Sequence, residues 1–374
     1  MADNKDKKVL NVPALRFPEF TEEWESVLLE DVAEFQKKRI SSDLLNNSNY
    51  ISTENILQNF GGVQNSISIP ANTNVIEYQR GDVLLSNIRP YLKKVWLSDR
   101  HGGCSADVFV LRGNQCERRF LYYVIASDRF INFVMSGAKG VKMPRGDKSQ
   151  MEKFTFFIPT NVEQKKIAMF LSMLDERIRL QNKIIEDLKK LKSAIVEKLF
   201  ADRKGEYVKL GNISSITNGN GDVQDARTDY HEWLFPFFDR SEEQKFFDTY
   251  SFDKEAIIYA GEGQSFMPRY YNGKFALHQR CYAITDFADI IVPQYCYQLE
   301  KTLNSYFIRN AVGSTVPSLR IDTFQKAPIL LLEKETQYKI CDCLNCLDNI
   351  YNTEMRLLLV LMQQKQYLLQ SMFI

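Results

Sequence analysis

At 374 residues and 44% hydrophobic content the chain is too long for one typical domain and can bury two or three cores of ordinary globular composition. Its net charge of +1 conceals an imbalance. Residues 1–200 carry 30 basic and 25 acidic side chains (+5) and residues 201–374 carry 18 and 22 (−4), so any nucleic-acid surface must be a local patch and not a whole-chain field.

Met1 to Lys8 is charged and no apolar h-region follows it. No run of 18 apolar residues occurs elsewhere, so a signal peptide and a spanning helix are not expected and a cytoplasmic location is. Seven cysteines, an odd number without framework spacing, fit a reducing compartment.

Residues 1–20 read as an N-terminal extension ending in Pro13-Ala14-Leu15-Arg16-Phe17-Pro18-Glu19-Phe20, with Trp24 soon after. A first front domain is expected at 21–158. Gly81-Asp82-Val83-Leu84-Leu85-Ser86 and Ala106-Asp107-Val108-Phe109-Val110-Leu111 read as strands, and 119–136 reads as helical. Two turn-rich basic segments stand out, Ser86-Asn87-Ile88-Arg89-Pro90-Tyr91-Leu92-Lys93-Lys94 and the loop Gly137 to Lys148. Glycine lets backbone approach a phosphate, lysine supplies point charge, and arginine or asparagine pairs with base edges. Asn87, Arg89, Lys93, Lys94, Lys139, Lys142, Arg145 and Lys148 are therefore candidate DNA contacts, with a solvated loop as the alternative.

Pro159 followed by Thr160-Asn161-Val162-Glu163 predicts a capping-box helix start. Ile167, Leu171, Leu174, Ile178, Ile185, Leu188, Ile195 and Leu199 then recur mainly at steps of 3, 4 and 7, the pattern of a coiled-coil seam over about 160–200. At about 1.5 Å per residue this is a rod of roughly 60 Å. Ala201 to Gly205 reads as the linker that completes segment 159–205.

The second front domain is expected at 206–330, with a strand at Ala256-Ile257-Ile258-Tyr259 and helix at 292–311. Asn218-Gly219-Asn220-Gly221 reads as a turn in preference to a phosphate cradle. Counterparts of the basic segments are Arg269-Tyr270-Tyr271-Asn272-Gly273-Lys274, His278-Gln279-Arg280 and the loop Gly313 to Arg320. They make Arg269, Tyr270, Lys274, His278, Arg280, Ser318 and Arg320 candidate contacts, although Asn272-Gly273 also suits a hairpin turn. Segment 331–374 reads as a second long helix with its seam at Ile340, Leu344, Leu347, Leu358, Leu361 and Leu368. Cys341, Cys343 and Cys346 do not share a helix face and have no histidine near, so small apolar packing is expected there in preference to zinc.

The two halves are copies of one unit. Shifting the chain by 173 residues aligns 120–200 with 293–373 without a gap and with 14 of 81 positions identical. The densest run pairs Gln164, Lys166, Ile167, Leu171, Leu174 and Asp175 with Gln337, Lys339, Ile340, Leu344, Leu347 and Asp348. Upstream, Leu29-Glu30-Asp31-Val32 only echoes Leu210-Gly211-Asn212-Ile213. A long apolar stripe needs a partner, and the other copy is the nearest one, so we expect an antiparallel pair of helices related by a pseudo-two-fold axis. The fold class expected is α+β, two tandem front domains separated by two long helices packed as an antiparallel coiled coil.

Catalytic equipment is not expected. There is no Gly-x-Gly-x-x-Gly after a strand, no Asn-Pro-Pro-aromatic loop and no phosphate loop ending in Gly-Lys-Ser/Thr. Glu163-Gln164-Lys165 has a nuclease-like form that a helix cap explains, and Asp187-Leu188-Lys189 reads as a solvated face. His101, His231 and His278 lie far apart and make no triad or metal set.

Taken together, the opening Pro13 to Phe20 segment, Arg89-Pro90-Tyr91-Leu92-Lys93-Lys94, the glycine-containing loop before each helix and the helix start Glu163 to Asp175, repeated from Thr336 to Asp348, resemble the specificity subunits of type I restriction-modification enzymes over essentially the whole chain. The resemblance implies that each front domain reads one half of a bipartite, asymmetric DNA site. It implies that the helices set the gap between half-sites and dock two modification (methyltransferase) subunits, which restriction (endonuclease and translocase) subunits join. S-adenosylmethionine, ATP and Mg would then belong to those partners, with no cofactor, metal or catalytic residue in this chain. The alternative is a non-catalytic coiled-coil scaffold that does not itself read DNA. The acidic second half, with Asp222, Asp225, Asp229, Glu242 and Glu243, departs from a tight DNA grip.

Overall fold

The computed structural model describes residues 11–140, 142–201, 205–313 and 315–374. The Met1 to Lys8 reading, Asp202 to Lys204 of the expected linker, and Val141 and Ser314 of the two loops lie outside the described residues.

The first copy runs β1 (Glu25–Leu28), α1 (Leu29–Val32), β2 (Ala33–Phe35), β3 (Arg39–Ser41), β4 (Tyr50–Ile51), β5 (Asn74–Tyr78), β6 (Val83–Ser86), β7 (Val95–Leu97), β8 (Gly102–Cys104), β9 (Val108–Gly113), α2 (Arg118–Ile125), α3 (Asp128–Ser136), α4 (Lys148–Glu152), β10 (Thr155–Ile158) and the long α5 (Asn161–Ala201). The second runs β11 (Glu206–Lys209), β12 (Ser215–Asn218), β13 (Phe235–Phe238), β14 (Lys245–Phe247), β15 (Phe252–Ala260), β16 (Arg269–Leu277), β17 (Cys281–Thr285), α6 (Pro293–Glu300), α7 (Asn304–Asn310), α8 (Ile321–Gln325), β18 (Pro328–Leu331) and the long α9 (Lys334–Ser371).

Two compact units result: the described part of Met1–Asn182 with Arg356–Ile374, and that of Lys183–Met355. Each unit therefore takes the opening turns of one long helix and the closing turns of the other.

In the first unit, among the described residues, β2-β9-β6-β7 and β3-β5-β8-β4 form two four-stranded sheets and β1 pairs with β10. Burial follows alternation and helix period. Val83, Leu85 and Leu111 join Phe120, Phe130, Phe154 and Ile167 in the larger core, and Leu84, Val108 and Val110 join Tyr78 and Trp96 in a second one. The expected helix at 119–136 is two helices because Ser127 starts a new one, its hydroxyl accepting from the Phe130 N–H at 3.2 Å. Leu368 of α9 and Met372 just beyond it are buried in the larger core beside Leu171. Lys365 Nζ lies 2.5 Å from Asp175, which also accepts from the Tyr123 hydroxyl at 2.8 Å.

The second unit has, among the described residues, one six-stranded sheet in the order β12-β17-β15-β16-β13-β14 and the pair β11 with β18. Its larger core gathers Ile257, Tyr259, Ile284, Tyr295, Phe324 and Ile340, with Ile195 and Leu199 of α5 packed against it. Lys192 pairs with Asp348. By the 173-residue offset this is the Asp175–Lys365 pair with the helices exchanged. All the expected seam positions on α5 and α9 are buried or half-buried.

The duplication that fades upstream in sequence is traceable there in the strand pairing, although β3 and β14 have no counterpart in the other copy. β1 pairs with β10 and β11 with β18 antiparallel over four residues each, and β18 is β10 moved by 173. The long β15 does the work of β5 and β6, and the long β16 that of β7 and β8. In register terms, Val83 faces Leu97 as Ile257 faces Tyr270, and Tyr78 faces Gly102 as Phe252 faces Phe275.

Several local expectations change. Asn272-Gly273 is no hairpin turn. It lies within β16 opposite Glu255 and Lys254, and Gly273 takes φ +130° there. Glu163 makes no reciprocal cap, because its buried carboxylate receives both Nε and Nη2 of Arg16 at 2.8 Å. Phe17 meets Phe170 edge-on and Lys166 lies 4.5 Å over Phe17, so the Pro13 to Phe20 segment is a strap on the start of α5.

The glutamine next to Glu163 does more than cap a helix. Gln164 donates to the Pro159 carbonyl and accepts from the Glu117 N–H, and Gln337 likewise donates to Leu332 and accepts from Val292. Both glutamines are buried, which explains why this residue survives in both copies. α5 continues as helix through Ala201, the first residue assigned to the linker. Of the three clustered cysteines only Cys341 is buried; Cys343 and Cys346 are exposed, so apolar packing does not account for them. Gly219 and Gly221 are more than a turn, since their backbone lies against Leu277, whose carbonyl accepts from Gly221 N–H at 3.0 Å.

Candidate nucleic-acid interface

In the first unit the two basic segments meet. The loop after α3 is a hairpin in which Lys139 and Arg145 bridge, and Arg145 bridges in turn to Ile88 just beyond β6. The Arg89 N–H donates to the Pro144 carbonyl at 2.8 Å and Gly146 N–H to Asn87 at 3.2 Å. Asn87, Arg89, Lys139, Lys142, Arg145 and Lys148 thus share one neighbourhood.

Their side chains differ in availability. Arg145 lies 3.0 Å from Asp107, Lys139 2.9 Å from Asp147 and Lys148 3.3 Å from Glu152. Lys142 is exposed and has no charged partner among the described residues. Lys93 is tied to Asp128 and Lys94 donates to the Thr53 carbonyl at 2.7 Å, so both half-buried ammonium groups are engaged within the unit. Arg89 and Lys93 both sit at φ +51°, a left-handed conformation costing about 1 kcal/mol for a residue with a Cβ. Asn87 Oδ1 and Arg89 Nε are buried with no hydrogen-bond partner among the described residues.

The second unit repeats the frame with other side chains. Val312 and Ser318 bridge as Lys139 and Arg145 do, Ser318 bridges to Glu262, and Gly263 N–H donates to the Pro317 carbonyl at 3.0 Å. The structural counterpart of Asn87-Ile88-Arg89 is therefore Gly261-Glu262-Gly263. The expected counterpart, Arg269 to Lys274, is part of a strand, with Arg269 at the place of the buried Trp96.

Arg269 reaches inward to the carbonyls of Asp239 and Ser241, stacks 5.2 Å from Phe238, and has its pKa lowered by burial. Tyr270 donates to Glu255 and Lys274 lies 4.8 Å over Tyr250. His278 Nδ1 accepts from Arg280 N–H at 3.2 Å, and Arg280 pairs with Glu262 at 3.0 Å. Ser318 belongs to the hairpin, and the exposed Arg320 lies beyond it at the N-cap of α8. By the same offset, Lys139, Lys142, Arg145 and Lys148 become Val312, Thr315, Ser318 and Ile321.

Sequence reasoning passed over several strongly exposed hydrophobic side chains, Leu44 and Ile67 in the first unit and Tyr230 and Trp233 in the second. The signal available for them was an apolar residue inside a run of Asn and Ser, or an aromatic pair amid charges. Among the described residues no group of three or more His, Cys, Asp or Glu side chains gathers as metal ligands, and no helix is long and apolar enough to cross a membrane.

Two copies of one α+β frame, each followed by a long helix and each presenting a strand-exit loop stitched to a hairpin, define a protein built by duplication. The chain belongs to the type I restriction modification DNA specificity domain family, whose profile matches residues 21–190 and again 203–361, once on each copy.

It is 29% identical over 140 residues to the EcoDI type I restriction enzyme specificity subunit of Escherichia coli, covering 37% of this chain and 30% of that protein. It is 27% identical over 202 residues to the MjaVIII specificity subunit of Methanocaldococcus jannaschii, covering 52% and 45%. The chain thus spans less than half the length of each of these relatives.

The fold is that of the type I restriction-modification S subunit from M. genitalium, with a TM-score of 0.67 at 18% identity over 97% of this chain and 99% of that one. A chain from a type I restriction-modification system, solved for its complex assembly and conformational transition, matches with a TM-score of 0.58 at 17% identity over 92% and 96%.

Proposed function

We propose that this chain is a non-catalytic DNA-reading subunit, in which each unit reads one half of a bipartite, asymmetric site in double-stranded DNA. The carrying observation is that the family match falls twice, on two copies of one frame whose side chains differ at the same backbone positions. Unlike surfaces on like frames suit unlike half-sites. The exchanged ion pairs Asp175–Lys365 and Lys192–Asp348 support an antiparallel, pseudo-two-fold coiled coil.

The same helices would scaffold two methyltransferase subunits, which carry the S-adenosylmethionine chemistry, with restriction subunits supplying ATP- and Mg-dependent cleavage. Supporting this, α5 and α9 keep apolar side chains in solvent away from the seam: Met169, Met173, Leu180, Leu357, Val360 and Tyr367 in the first unit, and Ile184, Leu191 and Ile350 in the second. The cytoplasm is the compartment where such a complex would meet DNA.

Mapping methylated bases in host DNA by long-read sequencing, with and without this chain, tests the reading. One bipartite motif with a fixed gap, lost on deletion, is the expected result; methylation unchanged by deletion would favour the scaffold alternative.

Arg89 gives a sharper test of the interface. Its counterpart Gly263 suits positive φ and Arg89 does not, so the first unit keeps an arginine at a cost. An Arg89→Gly variant should melt no lower than the wild type. Its complex should bind DNA about tenfold more weakly, and the slope of log affinity on log salt should drop by about 0.9 if a phosphate contact is lost. Unchanged binding in this variant and in Lys142→Ala would remove the strand-exit loop and hairpin from the interface.

A further inference from the structure

We propose that base reading in the first unit is done at a second place: a tip formed by the excursions between β2 and β4 and between β4 and β5, with Leu44, Asn47 and Ile67 as specificity-determining residues for A·T pairs in one half-site. This rests on the DNA-reading function proposed above. Among the described residues, Ile67 at 97% exposure and Leu44 at 73% are the most exposed large hydrophobic side chains. A lone exposed aliphatic is unremarkable, but two on one tip are less so.

The tip is also held firmly. Ser66 N–H donates to the Asn47 carbonyl at 2.7 Å and Ser42 N–H to Thr73 at 2.8 Å. Asp43 accepts from Asn72 N–H at 3.2 Å, Asn49 Oδ1 from Asn46 N–H at 2.7 Å, and the Tyr78 hydroxyl donates to the Asn49 carbonyl at 2.9 Å. Ordering a loop while leaving its aliphatic side chains in water gains nothing for the free chain.

The neighbouring chemistry suits a groove. The side chains of Asn47 and Asn65 are exposed and make no hydrogen bond among the described residues. An amide can pair bidentately with adenine N6 and N7, and an aliphatic group packs on the thymine methyl. Exposed Lys37 opens the first excursion where a phosphate would lie, while its neighbours Lys38 and Arg39 are held by Glu77 at 2.8 Å and by the Asn74 carbonyl at 3.2 Å. A second observation is independent of these residues. The corresponding excursions of the second unit, 219–234 and 239–251, carry exposed Tyr230, Trp233 and Tyr250, with His231 stacked 4.5 Å from Trp233. Both copies thus place exposed apolar groups between the same frame strands, aliphatic in the first and aromatic in the second.

The test uses the complex with the methyltransferase subunit, first confirming a chain-dependent methylation motif, without which both this proposal and the DNA-reading function fail. Asn47→Ala should then relax one A·T position in one half-site and leave the other half-site unchanged. Replacing the thymines of that half-site by deoxyuridine should weaken wild-type binding about fourfold, one methyl's worth of burial, and leave Ile67→Ala or Leu44→Ala binding indifferent to the change. Melting temperatures of these surface variants serve as the folding control. Wild-type affinity and an unchanged motif in Asn47→Ala, Leu44→Ala and Ile67→Ala, alongside weakened binding by Arg89→Gly, would overturn the tip while leaving the DNA-reading function standing.

Discussion

Arg16→Ala should destabilise the first unit by about 3–5 kcal/mol, read as a fall in the first unfolding transition. Glu163 is buried, at 1% exposure, and both its oxygens are taken by the Arg16 guanidinium. Truncation leaves a carboxylate in the interior without its counter-charge and frees the strap that carries Phe17 over α5. Arg16→Lys separates the two contributions, because it restores charge without the two-pronged geometry. It should recover part of the loss. Full stability in Arg16→Ala would show that water replaces the arginine and that the strap is decorative.

The second large effect is a pH dependence in the other unit. Glu300 is fully buried in α6, with the Cys296 thiol 3.2 Å from its Oε1 and Tyr259 facing it, and burial pushes its carboxyl up to about 7. The Cys296 thiol and Tyr259 hydroxyl are themselves pushed up by burial and stay neutral across this range. An acid whose folded pKa lies above its unfolded one binds more protons when folded. Stability is therefore undiminished below the unfolded value near 4.5, falls as pH rises, and levels off above about 7. Glu300→Gln should remove that slope and exceed the wild type at pH 8 by on the order of 3 kcal/mol, with little difference at pH 4.5. Parallel pH–stability curves for the two proteins would show that Glu300 ionises in the folded state at an ordinary pH.

The helices were legible because periodicity is local: Ile167 to Leu199 announce their face within the helix itself, and the unit count followed from matching it to Ile340 to Leu368. The hairpins were half legible. Their glycines and prolines marked the turns, but the strand segment each hairpin rests on lies more than 50 residues away, and in the second copy Arg269 to Lys274 offered the more conspicuous basic run. Composition drew attention to those cations. The backbone register instead selects Gly261 to Gly263, three residues with little chemical signature.

Partners distant in sequence explain the other gaps. Glu163 looked like a cap because Thr160 is close in the chain, whereas Arg16 is 147 positions away. Lys93 and Lys94 read as free cations because nothing nearby announced Asp128 or Thr53. Leu44 and Ile67 were passed over because an isolated apolar residue in a polar run carries no periodic signal. Only the fold reveals that it is left in solvent.

The order of synthesis is written into how the units share the chain. The second unit is continuous, from Lys183 to Met355, so every residue of its core is available before the last stretch is made. The first unit is not: Leu368 and Met372 belong to its core, and Leu15 N–H donates to the Ser371 carbonyl at 2.9 Å. A growing chain can therefore close its later-made unit first and must hold the earlier one open until its final turns emerge. The earlier unit has the larger loop to close, and a message truncated within α9 would leave it with an exposed apolar slot in place of a finished core.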